Sequence, residues 1–319
     1  MVSMSFMAKK FLVVMYMKYF ITGVNGQLGY DVCRELQKRH IDFVASDITP
    51  EYAGLYHDIL PLEYVALDIT DKQTVENTLQ KVSPSVIIHC AAWTAVDAAE
   101  DEANKPKVWA VNVTGTENLA RAAAAINAKI VYISTDYVFD GSGSEPWKAD
   151  QQNFAPLNVY GASKLAGEKA VASETDKFFI VRIAWVFGKN GNNFIKTMLK
   201  IARTHDTLRV VCDQIGNPTY TEDLSRLLVD MTQTEKFGYY HATNEGEFIS
   251  WADFAKEIFA KANLTVKVIP VTTHEYGLSK AKRPFNSRLD KSKLTTNGFT
   301  PLPHWKDAVK RFIMEIKEN

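Results

Sequence analysis

Short apolar segments alternate with helix-patterned segments along the first 183 residues of the 319-residue chain. The predicted strands are residues 19–22, 43–46, 64–67, 86–90, 130–133 and 178–183, and the predicted helices are residues 27–39, 74–82, 107–126 and 159–173. Strand–helix alternation is typical of a parallel sheet with helices on both faces. The sequence therefore predicts an α/β fold with a Rossmann-like, doubly wound parallel sheet.

The alternation becomes less regular after residue 183, which indicates a change of domain. Further helices are predicted at residues 194–204, 222–232, 251–262 and 305–316, and further strands at residues 208–211, 239–242 and 266–269. We predict a dinucleotide-binding domain over residues 17–183, with returning segments near 220–242. A smaller C-terminal α/β domain for the substrate is predicted over 184–219 and 243–319. Residues 1–16 are predicted to be an N-terminal appendage.

Charge and cysteine content narrow the functional class. Lys plus Arg equals Asp plus Glu at 37 each, and no basic block stands out, so a nucleic-acid partner is not expected. Cys33, Cys90 and Cys212 form neither a disulfide framework nor a metal-ligand set, which favours a cytoplasmic location. The apolar run 11–17 is far shorter than the ~20 residues that span a bilayer. We expect no metal site and no membrane partner.

A glycine-rich turn follows the first predicted strand and opens the first predicted helix. Gly23, Gly26 and Gly29 have G-x-x-G-x-x-G spacing. In this context the glycines permit a tight turn, backbone approach to a pyrophosphate, and close helix–strand packing. The free N–H groups at the helix N-terminus favour a phosphate. The alternative is a glycine-rich turn that binds no ligand.

Asp47 ends the second predicted strand, about twenty residues further on, where an acidic residue binds the adenosine ribose in dinucleotide-binding folds. A carboxylate at this place repels a 2′-phosphate, which favours NADH without excluding NADPH. The alternative is an aspartate that only stabilises a loop or caps a helix.

Tyr160 and Lys164 lie four residues apart on a predicted helix, and therefore on one face of it. An ammonium group beside a phenol favours the phenolate, so we expect Lys164 to lower the pKa of Tyr160. Such a tyrosine exchanges a proton with a carbonyl oxygen as hydride is transferred. Ser134 and Thr135 end a predicted strand, and the carboxyl ends of parallel strands face the ligand crevice. Thr135, Tyr160 and Lys164 are thus predicted to converge; the alternative is an ordinary exposed pair on a helix.

Eight strings in chain order carry a resemblance to a known family. They are ITG with GQLG (21–29), CAAWTAVD (90–97), STDYVFDG (134–141), YG with KLAGE (160–168), AWVFG (184–188), GNNF (191–194), DQ, G and PT (213–219), and KRP with NS (282–287). With these strings, the sequence resembles the extended short-chain dehydrogenase/reductase superfamily and, within it, the dTDP-4-dehydrorhamnose reductases. The similarity runs from about residue 17 to about residue 310.

The resemblance implies reduction of the C4 keto group of dTDP-4-dehydro-L-rhamnose by NADPH or NADH, with Tyr160 as proton donor. The implied catalytic residues are Thr135, Tyr160 and Lys164. The implied cofactor-binding residues are Gly23, Gly26, Gln27, Leu28, Gly29, Asp47, Asp68, Ile69, Ala91, Ala92, Trp93, Tyr160 and Lys164. The implied residues for the dTDP-sugar are Thr135, Asp136, Trp185, Asn193, Arg283, Asn286 and Arg288.

The sequence departs from the family pattern in three places. Residues 49–63 form a longer connection than is usual, which affects the adenine side. Trp93 stands where His or Tyr is commoner. Asp31 stands where some members carry a metal-binding Glu, so Mg²⁺ is possible but not supported by the sequence. The expected oligomeric state is a monomer or a homodimer.

Two other functions are compatible with the motifs. One is a nucleotide-sugar 4-epimerase. The other is a non-catalytic NADP-binding regulatory subunit, because such proteins of the same branch can keep the Tyr and Lys. A 4,6-dehydratase is disfavoured, because Tyr137 stands where the dehydratases carry a glutamate.

Overall fold

The structure, a computed structural model, describes residues 17–317. The predicted appendage, residues 1–16, lies outside the described residues. The strands are β1 (Tyr19–Thr22), β2 (Phe43–Asp47), β3 (Glu63–Ala66), β4 (Val86–His89), β5 (Lys129–Thr135), β6 (Phe178–Ile183), β7 (Val186–Phe187), β8 (Thr207–Val211), β9 (Ile215–Gly216), β10 (Thr219–Tyr220), β11 (Gly238–His241), β12 (Ile249–Ser250), β13 (Lys267–Val271) and β14 (Asn286–Ser287).

Eleven α-helices of the described residues lie between and after these strands. They are α1 (Gln27–Lys38), α2 (Lys72–Val82), α3 (Lys105–Trp109), α4 (Thr116–Ala125), α5 (Val159–Glu174), α6 (Phe194–Ile201), α7 (Thr221–Thr232), α8 (Trp251–Ala262), α9 (Thr273–Tyr276), α10 (Ser292–Thr296) and α11 (Trp305–Lys317). Short 3₁₀ turns cover Ala98–Glu100 and Asp136–Val138. A π-helical segment, Ala110–Gly115, joins α3 to α4.

Seven parallel strands form the main sheet in the order β11-β6-β5-β4-β1-β2-β3. The register places Tyr19 beside Phe43 on one side and Val86 on the other. Strand β1 therefore lies inside the sheet. Strands β2 and β3 continue the sheet to one edge, and β4, β5, β6 and β11 continue it to the other. In such sheets the ligand crevice lies beyond the carboxyl ends of the strands where the winding reverses, here β1 and β4. The predicted Rossmann-like fold is confirmed.

Alternate side chains of each strand enter two separate cores, because successive side chains of a strand point to opposite faces. Tyr19 and Ile21 belong to a cluster that includes residues of α1 and α7. Phe20 belongs to a second cluster, which includes residues of α2 and α4. Helix α5 packs against α4 and β5. Burial on both faces explains why the central strands are mostly apolar, with polar residues such as Thr22 and His89 at their carboxyl ends.

The C-terminal part contains three small sheets: β8 with β13, β9 between β12 and β14, and β7 with β10. A third core cluster lies here and includes Phe187, Phe254 and Trp305. Strand β11 joins the main sheet beside β6. The division into two domains at the predicted boundaries stays a prediction.

The predicted elements differ from the observed ones in specific places. The helix expected at residues 107–126 is interrupted by the π-helical segment. Gly115 ends that segment, and a Cβ on it would lie 2.5 Å from the Ile69 side chain. The five two-residue strands were not predicted, because two residues carry no detectable periodicity. No helix of the described residues is long and apolar enough to cross a membrane.

Candidate active site

The glycine-rich turn between β1 and α1 is packed so closely that two of its glycines have no room for a side chain. Gly23 has a positive φ of 72°, and a Cβ on it would lie 2.5 Å from the Ala91 nitrogen. A Cβ on Gly29 would lie 2.2 Å from the Gly23 carbonyl oxygen. These glycines let β1, the β4 loop and α1 approach one another.

The N-terminus of α1 is open for an anion. Gly26 is the N-cap residue and makes no side-chain capping bond. The first N–H groups of a helix lack intrahelical partners, and the dipole there favours negative charge. The Gln27 side chain accepts a bond from Asn193 Nδ2 at 2.9 Å. A glycine cradle beside an uncapped helix end suits the pyrophosphate of a dinucleotide.

The tight contact at Gly29 makes a testable prediction. We expect Gly29→Ala to weaken NADPH binding by at least ~10-fold, or 1.4 kcal/mol, because the added methyl group pushes α1 away from the turn. Fluorescence titration with NADPH measures the dissociation constant. Gly143→Ala is the control: a Cβ there meets nothing within 4 Å, so it adds only the strain of its own positive φ of 71°. An unchanged dissociation constant for Gly29→Ala would contradict the role of this close approach.

Asp47 at the end of β2 holds the glycine-rich turn. Its Oδ2 accepts from the Asn25 backbone N–H at 2.9 Å, and its Oδ1 accepts from the Ile48 N–H at 2.8 Å. The structure thus contains the loop-stabilising contact that the sequence analysis gave as the alternative role of Asp47. Each carboxylate oxygen retains a second lone pair for a ribose hydroxyl.

Asp68 and Ile69, which the resemblance implies for the adenine, follow β3. Asp68 is exposed, and its Oδ1 accepts from the backbone and hydroxyl of Thr70. Ile69 is buried and its carbonyl accepts from Asn118 Nδ2 at 3.0 Å. These contacts tie the loop after β3 to α4.

The long connection between β2 and β3, residues 48–62, folds back over the glycine-rich turn. Asn25 Oδ1 accepts from the Ala53 N–H, and Asn25 Nδ2 donates to Thr49. Asn190, which is fully buried, accepts from the Leu55 N–H and donates to the Asn25 carbonyl. The connection therefore links the turn to the loop after β7.

The loop after β4 contains Ala91, Ala92 and Trp93, and a buried asparagine fixes it. Asn112, in the π-helical segment, accepts from the Trp93 N–H at 2.8 Å and donates to the Trp93 carbonyl at 3.1 Å. Asn112 also donates to Ser163 Oγ, on α5, at 2.9 Å. Asn112 was not predicted from the sequence, because a single asparagine in a helix has no diagnostic spacing.

Thr135, Asp136 and Tyr160 come together at the carboxyl end of β5. Thr135 Oγ1 donates to Asp136 Oδ1 at 3.1 Å and accepts from the Tyr137 N–H at 3.2 Å. The Tyr160 ring packs edge-on against Tyr137 with centroids 5.8 Å apart. The Asn158 side chain caps α5 by accepting from the Gly161 N–H, so the helix begins just before Tyr160.

The expectation that Lys164 lowers the pKa of Tyr160 is wrong for this structure. Burial raises the pKa of Tyr160, and the nearby Asp136 carboxylate raises it further. An interaction with Thr135 lowers the pKa by a smaller amount. Tyr160 is therefore a neutral phenol at pH 7 and holds a proton that it can donate.

Lys164 is 3% exposed, and its Nζ lies over the Tyr132 ring, 4.0 Å from the centroid. Burial lowers the pKa of Lys164 to about 7, opposed by the negative charge of Glu168. The carboxylate of Glu168, one turn further along α5, pairs with Arg182 of β6. This pair and the bond from Ser134 Oγ to Glu168 connect α5 to the strands below it.

The buried lysine predicts a pH dependence of stability. Between pH 7 and pH 10.5 the unfolded chain binds a proton at Lys164 that the folded chain does not hold. The free energy of unfolding therefore rises with pH through this window. We expect Lys164→Met to remove this rise and to be more stable than wild type at pH 7 in thermal denaturation. Lys38→Met, at a side chain 81% exposed, is the control, and an unchanged slope in Lys164→Met would refute the argument.

Trp185, between β6 and β7, has a positive φ of 50°. This conformation is strained for a bulky residue and persists only when the surrounding structure holds it. Its ring stacks on Trp251 with centroids 3.8 Å apart. This half-buried position is compatible with the sugar contact that the resemblance implies for Trp185.

The other predicted substrate residues have protein partners. Asn193 caps α6 by accepting from the Lys196 N–H. Asn286 is 1% exposed; its Nδ2 donates to the Ser142 and Glu145 carbonyls, and its Oδ1 accepts from Arg288.

Arg283 forms a two-point ion pair with Asp97, with N–O distances of 2.6 and 3.0 Å. Lys280 pairs with Asp101 in the same region. The Lys282 carbonyl accepts from Asn158 Nδ2 at 2.8 Å. The loop around Arg283 thus lies against the N-terminus of α5 and the turn after β4.

Asp31 on α1, the position considered for a metal, is a buried carboxyl that accepts from Thr221. Burial raises the pKa of Asp31 to about 7. Within residues 17–317, no group of three or more His, Cys, Asp or Glu side chains comes together as a metal site. Cys33, Cys90 and Cys212 are free thiols.

The chain is similar to known proteins over most of its length. A family model described as the RmlD substrate binding domain matches residues 17–318. The dTDP-4-dehydrorhamnose reductase of Aggregatibacter actinomycetemcomitans is 40% identical over 92% of this chain and 97% of that protein. The spore coat polysaccharide biosynthesis protein SpsK of Bacillus subtilis is 36% identical over 93% of this chain and 97% of its own length.

A solved structure is similar over the same span. The dTDP-4-dehydrorhamnose reductase of Bacillus anthracis, in complex with NADP, superposes with a TM-score of 0.85 and 41% identity. The match covers 94% of this chain and 100% of that one. Because the family model and these relatives extend over nearly all of residues 17–318, the chain belongs to the dTDP-4-dehydrorhamnose reductase family.

Proposed function

We propose that the protein reduces the C4 keto group of dTDP-4-dehydro-L-rhamnose to give dTDP-L-rhamnose, with NADPH or NADH as reductant. The observation that carries the proposal is that Thr135 interacts with Tyr160 at the carboxyl end of β5, with Lys164 buried one helical turn further along α5. The relatives with this family name are similar over the whole described chain.

The cofactor would lie across the reversal point of the sheet. Gly23, Gly26, Gln27, Leu28 and Gly29 would hold its pyrophosphate at the uncapped start of α1. Asp47 would bind the ribose, while Asp68 and Ile69 would border the adenine. Ala91, Ala92 and Trp93, fixed by Asn112, would border the nicotinamide. When bound, the reduced nicotinamide supplies a hydride.

Tyr160 would provide the proton that the new alkoxide oxygen requires. The buried phenol is neutral at pH 7, because burial and Asp136 raise its pKa. Thr135 would orient the sugar oxygen toward Tyr160. Lys164 lies one helical turn from Tyr160 on the same face of α5 and would hold the cofactor beside it.

The dTDP-sugar would occupy the space between the end of β5 and the C-terminal part. Thr135, Asp136 and Trp185 would contact the hexose. Asn193, Arg283, Asn286 and Arg288 would contact the nucleotide diphosphate, for which guanidinium groups are well suited. Arg283 would have to exchange part of its pairing with Asp97 for the diphosphate.

The test is oxidation of NADPH and of NADH in the presence of enzymatically generated dTDP-4-dehydro-L-rhamnose, with identification of the product. Turnover to dTDP-L-rhamnose supports the reductase and gives the cofactor preference. Interconversion of dTDP-sugars that differ in configuration at C4, without net oxidation of NADPH or NADH, would instead indicate the 4-epimerase. Cofactor binding without any turnover would indicate the regulatory subunit. The monomer or homodimer state and the cytoplasmic location stay predictions.

A further inference from the structure

The amino group of Lys164 lies on the face of an aromatic ring. Its Nζ is 4.0 Å from the centroid of the Tyr132 ring, well inside the separation of about 6 Å at which a cation is attracted to a ring face. Lys164 is 3% exposed, and Tyr132 is fully buried. Because this attraction is stronger between desolvated groups, the buried contact is of the stronger kind.

The ring takes the place that a carboxylate usually has beside a buried lysine. Within residues 17–317, no carboxylate lies at ion-pair distance from Lys164. The Glu168 carboxylate, one turn further along α5, pairs with Arg182 and accepts from the Ser134 hydroxyl. A charge that is buried without a partner is costly. The ring of Tyr132 is therefore the direct contact that compensates Lys164 for its lost hydration.

Two further features fix Tyr132 beneath this turn of α5. Its hydroxyl donates to the Lys164 carbonyl at 3.2 Å. A Cβ on Gly167 would lie 2.2 Å from the Tyr132 oxygen, so the missing side chain at residue 167 lets α5 approach β5 here. Tyr132 thus contacts Lys164 at both its backbone and its Nζ.

The other titratable groups around the lysine are neutral or paired. On β4, burial lowers the pKa of His89 to about 3, so the imidazole is uncharged. Burial raises the pKa of Cys90, in the loop after β4, to about 12, so the thiol is uncharged as well. On α5, Tyr160 is a neutral phenol, and the charge of Glu168 is offset by Arg182 of β6.

On the basis of the proposed function, in which Lys164 holds the cofactor, we propose that Tyr132 is a positioning residue for Lys164. The face of its ring keeps the ammonium group charged and in place. Tyr132 stands within an apolar strand, where the sequence indicates only a core residue. Its role follows from the contact that the fold makes between β5 and α5.

This role has a consequence for stability. The ring stabilises the folded protein only while Lys164 is charged. Burial lowers the pKa of Lys164 from 10.5 to about 7, so the folded protein carries this charge below pH 7 and loses it above. The unfolded chain carries the charge on both sides of pH 7. Removal of the ring should therefore cost more stability at pH 5 than at pH 9.

Two substitutions separate the ring from the hydroxyl: Tyr132→Leu removes both, and Tyr132→Phe keeps the ring. Chemical denaturation of the full-length protein gives the unfolding equilibrium constant of each variant relative to wild type, a ratio in which the other titrating groups cancel. For Tyr132→Leu we expect this ratio to be about tenfold larger at pH 5 than at pH 9, as for a lysine whose pKa falls by one. For Tyr132→Phe we expect equal ratios at both pH values.

Phe179→Leu is the matched control. Phe179 is also a fully buried aromatic residue of the main sheet, but it belongs to the other core cluster. Its replacement measures the cost of a cavity, which should be the same at pH 5 and pH 9. Equal ratios at both pH values for Tyr132→Leu would overturn the proposal, because the ring would then act only as part of the core.

If Tyr132→Leu does not fold, fluorinated phenylalanines at residue 132 provide the same test. Fluorine atoms keep the shape of the ring but weaken the negative charge of its face, which is what attracts a cation. We expect the destabilisation at pH 5, relative to that at pH 9, to increase with the number of fluorine atoms. A destabilisation that does not depend on fluorination would overturn the proposal.

Fluorescence titration with NADPH at pH 6 tests the link to the cofactor. We expect Tyr132→Leu to weaken binding by ~10-fold, as Lys164→Met does, while Tyr132→Phe and Phe179→Leu stay within about threefold of wild type. Weakened binding in Lys164→Met but not in Tyr132→Leu would also overturn the proposal. If neither variant changes NADPH binding, the proposed function of Lys164 fails, whereas the pH-dependent stability still supports the contact of Tyr132 with the ammonium group.

Discussion

Replacing Tyr160 by Phe is expected to lower kcat by ~10²–10⁴-fold, the range for loss of a general acid. The ring would keep its edge-on packing against Tyr137, at 5.8 Å between centroids, so only the hydroxyl is lost. The proton for the C4 oxygen then has no donor at that position. The cofactor contacts of the glycine-rich turn are untouched, so the dissociation constant of NADPH should change little. Steady-state kinetics and fluorescence titration measure the two quantities.

Tyr240→Phe is the matched control for this substitution. The Tyr240 hydroxyl donates to the Lys236 carbonyl on the edge of the main sheet, so its removal also deletes one phenol oxygen. We expect its kcat to equal that of wild type. A wild-type kcat for Tyr160→Phe would rule out Tyr160 as the proton donor, whatever the family resemblance implies.

Replacing Glu168 by Ala is expected to lower the free energy of unfolding by about 3–5 kcal/mol, as when one partner of a buried ion pair is removed. Glu168 and Arg182 are 2% and 1% exposed, and two N–O contacts of 2.7 and 2.8 Å join them. Without Glu168, the Arg182 guanidinium still donates to the Ala149 carbonyl but has no counter-charge. Chemical denaturation measures the loss.

An exposed ion pair provides the control. Glu76→Ala removes the partner of Lys72, with side chains 30% and 58% exposed at 3.8 Å. Such surface pairs contribute about 0–1 kcal/mol. The double replacement of Glu168 by Leu and Arg182 by Met should recover much of the stability, because no uncompensated charge stays buried. Equal losses in Glu168→Ala and Glu76→Ala would contradict the assigned importance of the buried pair.

Local sequence determined the main sheet and its helices. Short continuous apolar runs indicated the strands of the main sheet. Helix α5 begins at the predicted residue, Val159, because the Asn158 side chain caps it. The glycine spacing also located the turn whose close approach to Ala91 leaves no space for a side chain. These features depend on neighbours in the sequence or on the regular connection of adjacent strands.

Only the tertiary structure decided the electrostatic state of the site. The spacing of Tyr160 and Lys164 predicted a lowered tyrosine pKa, but burial and Asp136, which lies 24 positions earlier in the chain, raise it instead. The Asn112 clamp on the loop after β4 likewise joins residues 19 positions apart. Desolvation depends on all the atoms that surround a group in the folded structure, and the residue pattern of the sequence contains no information about them. Sequence spacing thus placed Tyr160 and Lys164 on one face of a helix, while the folded surroundings determined which distant groups meet them and which groups hold protons.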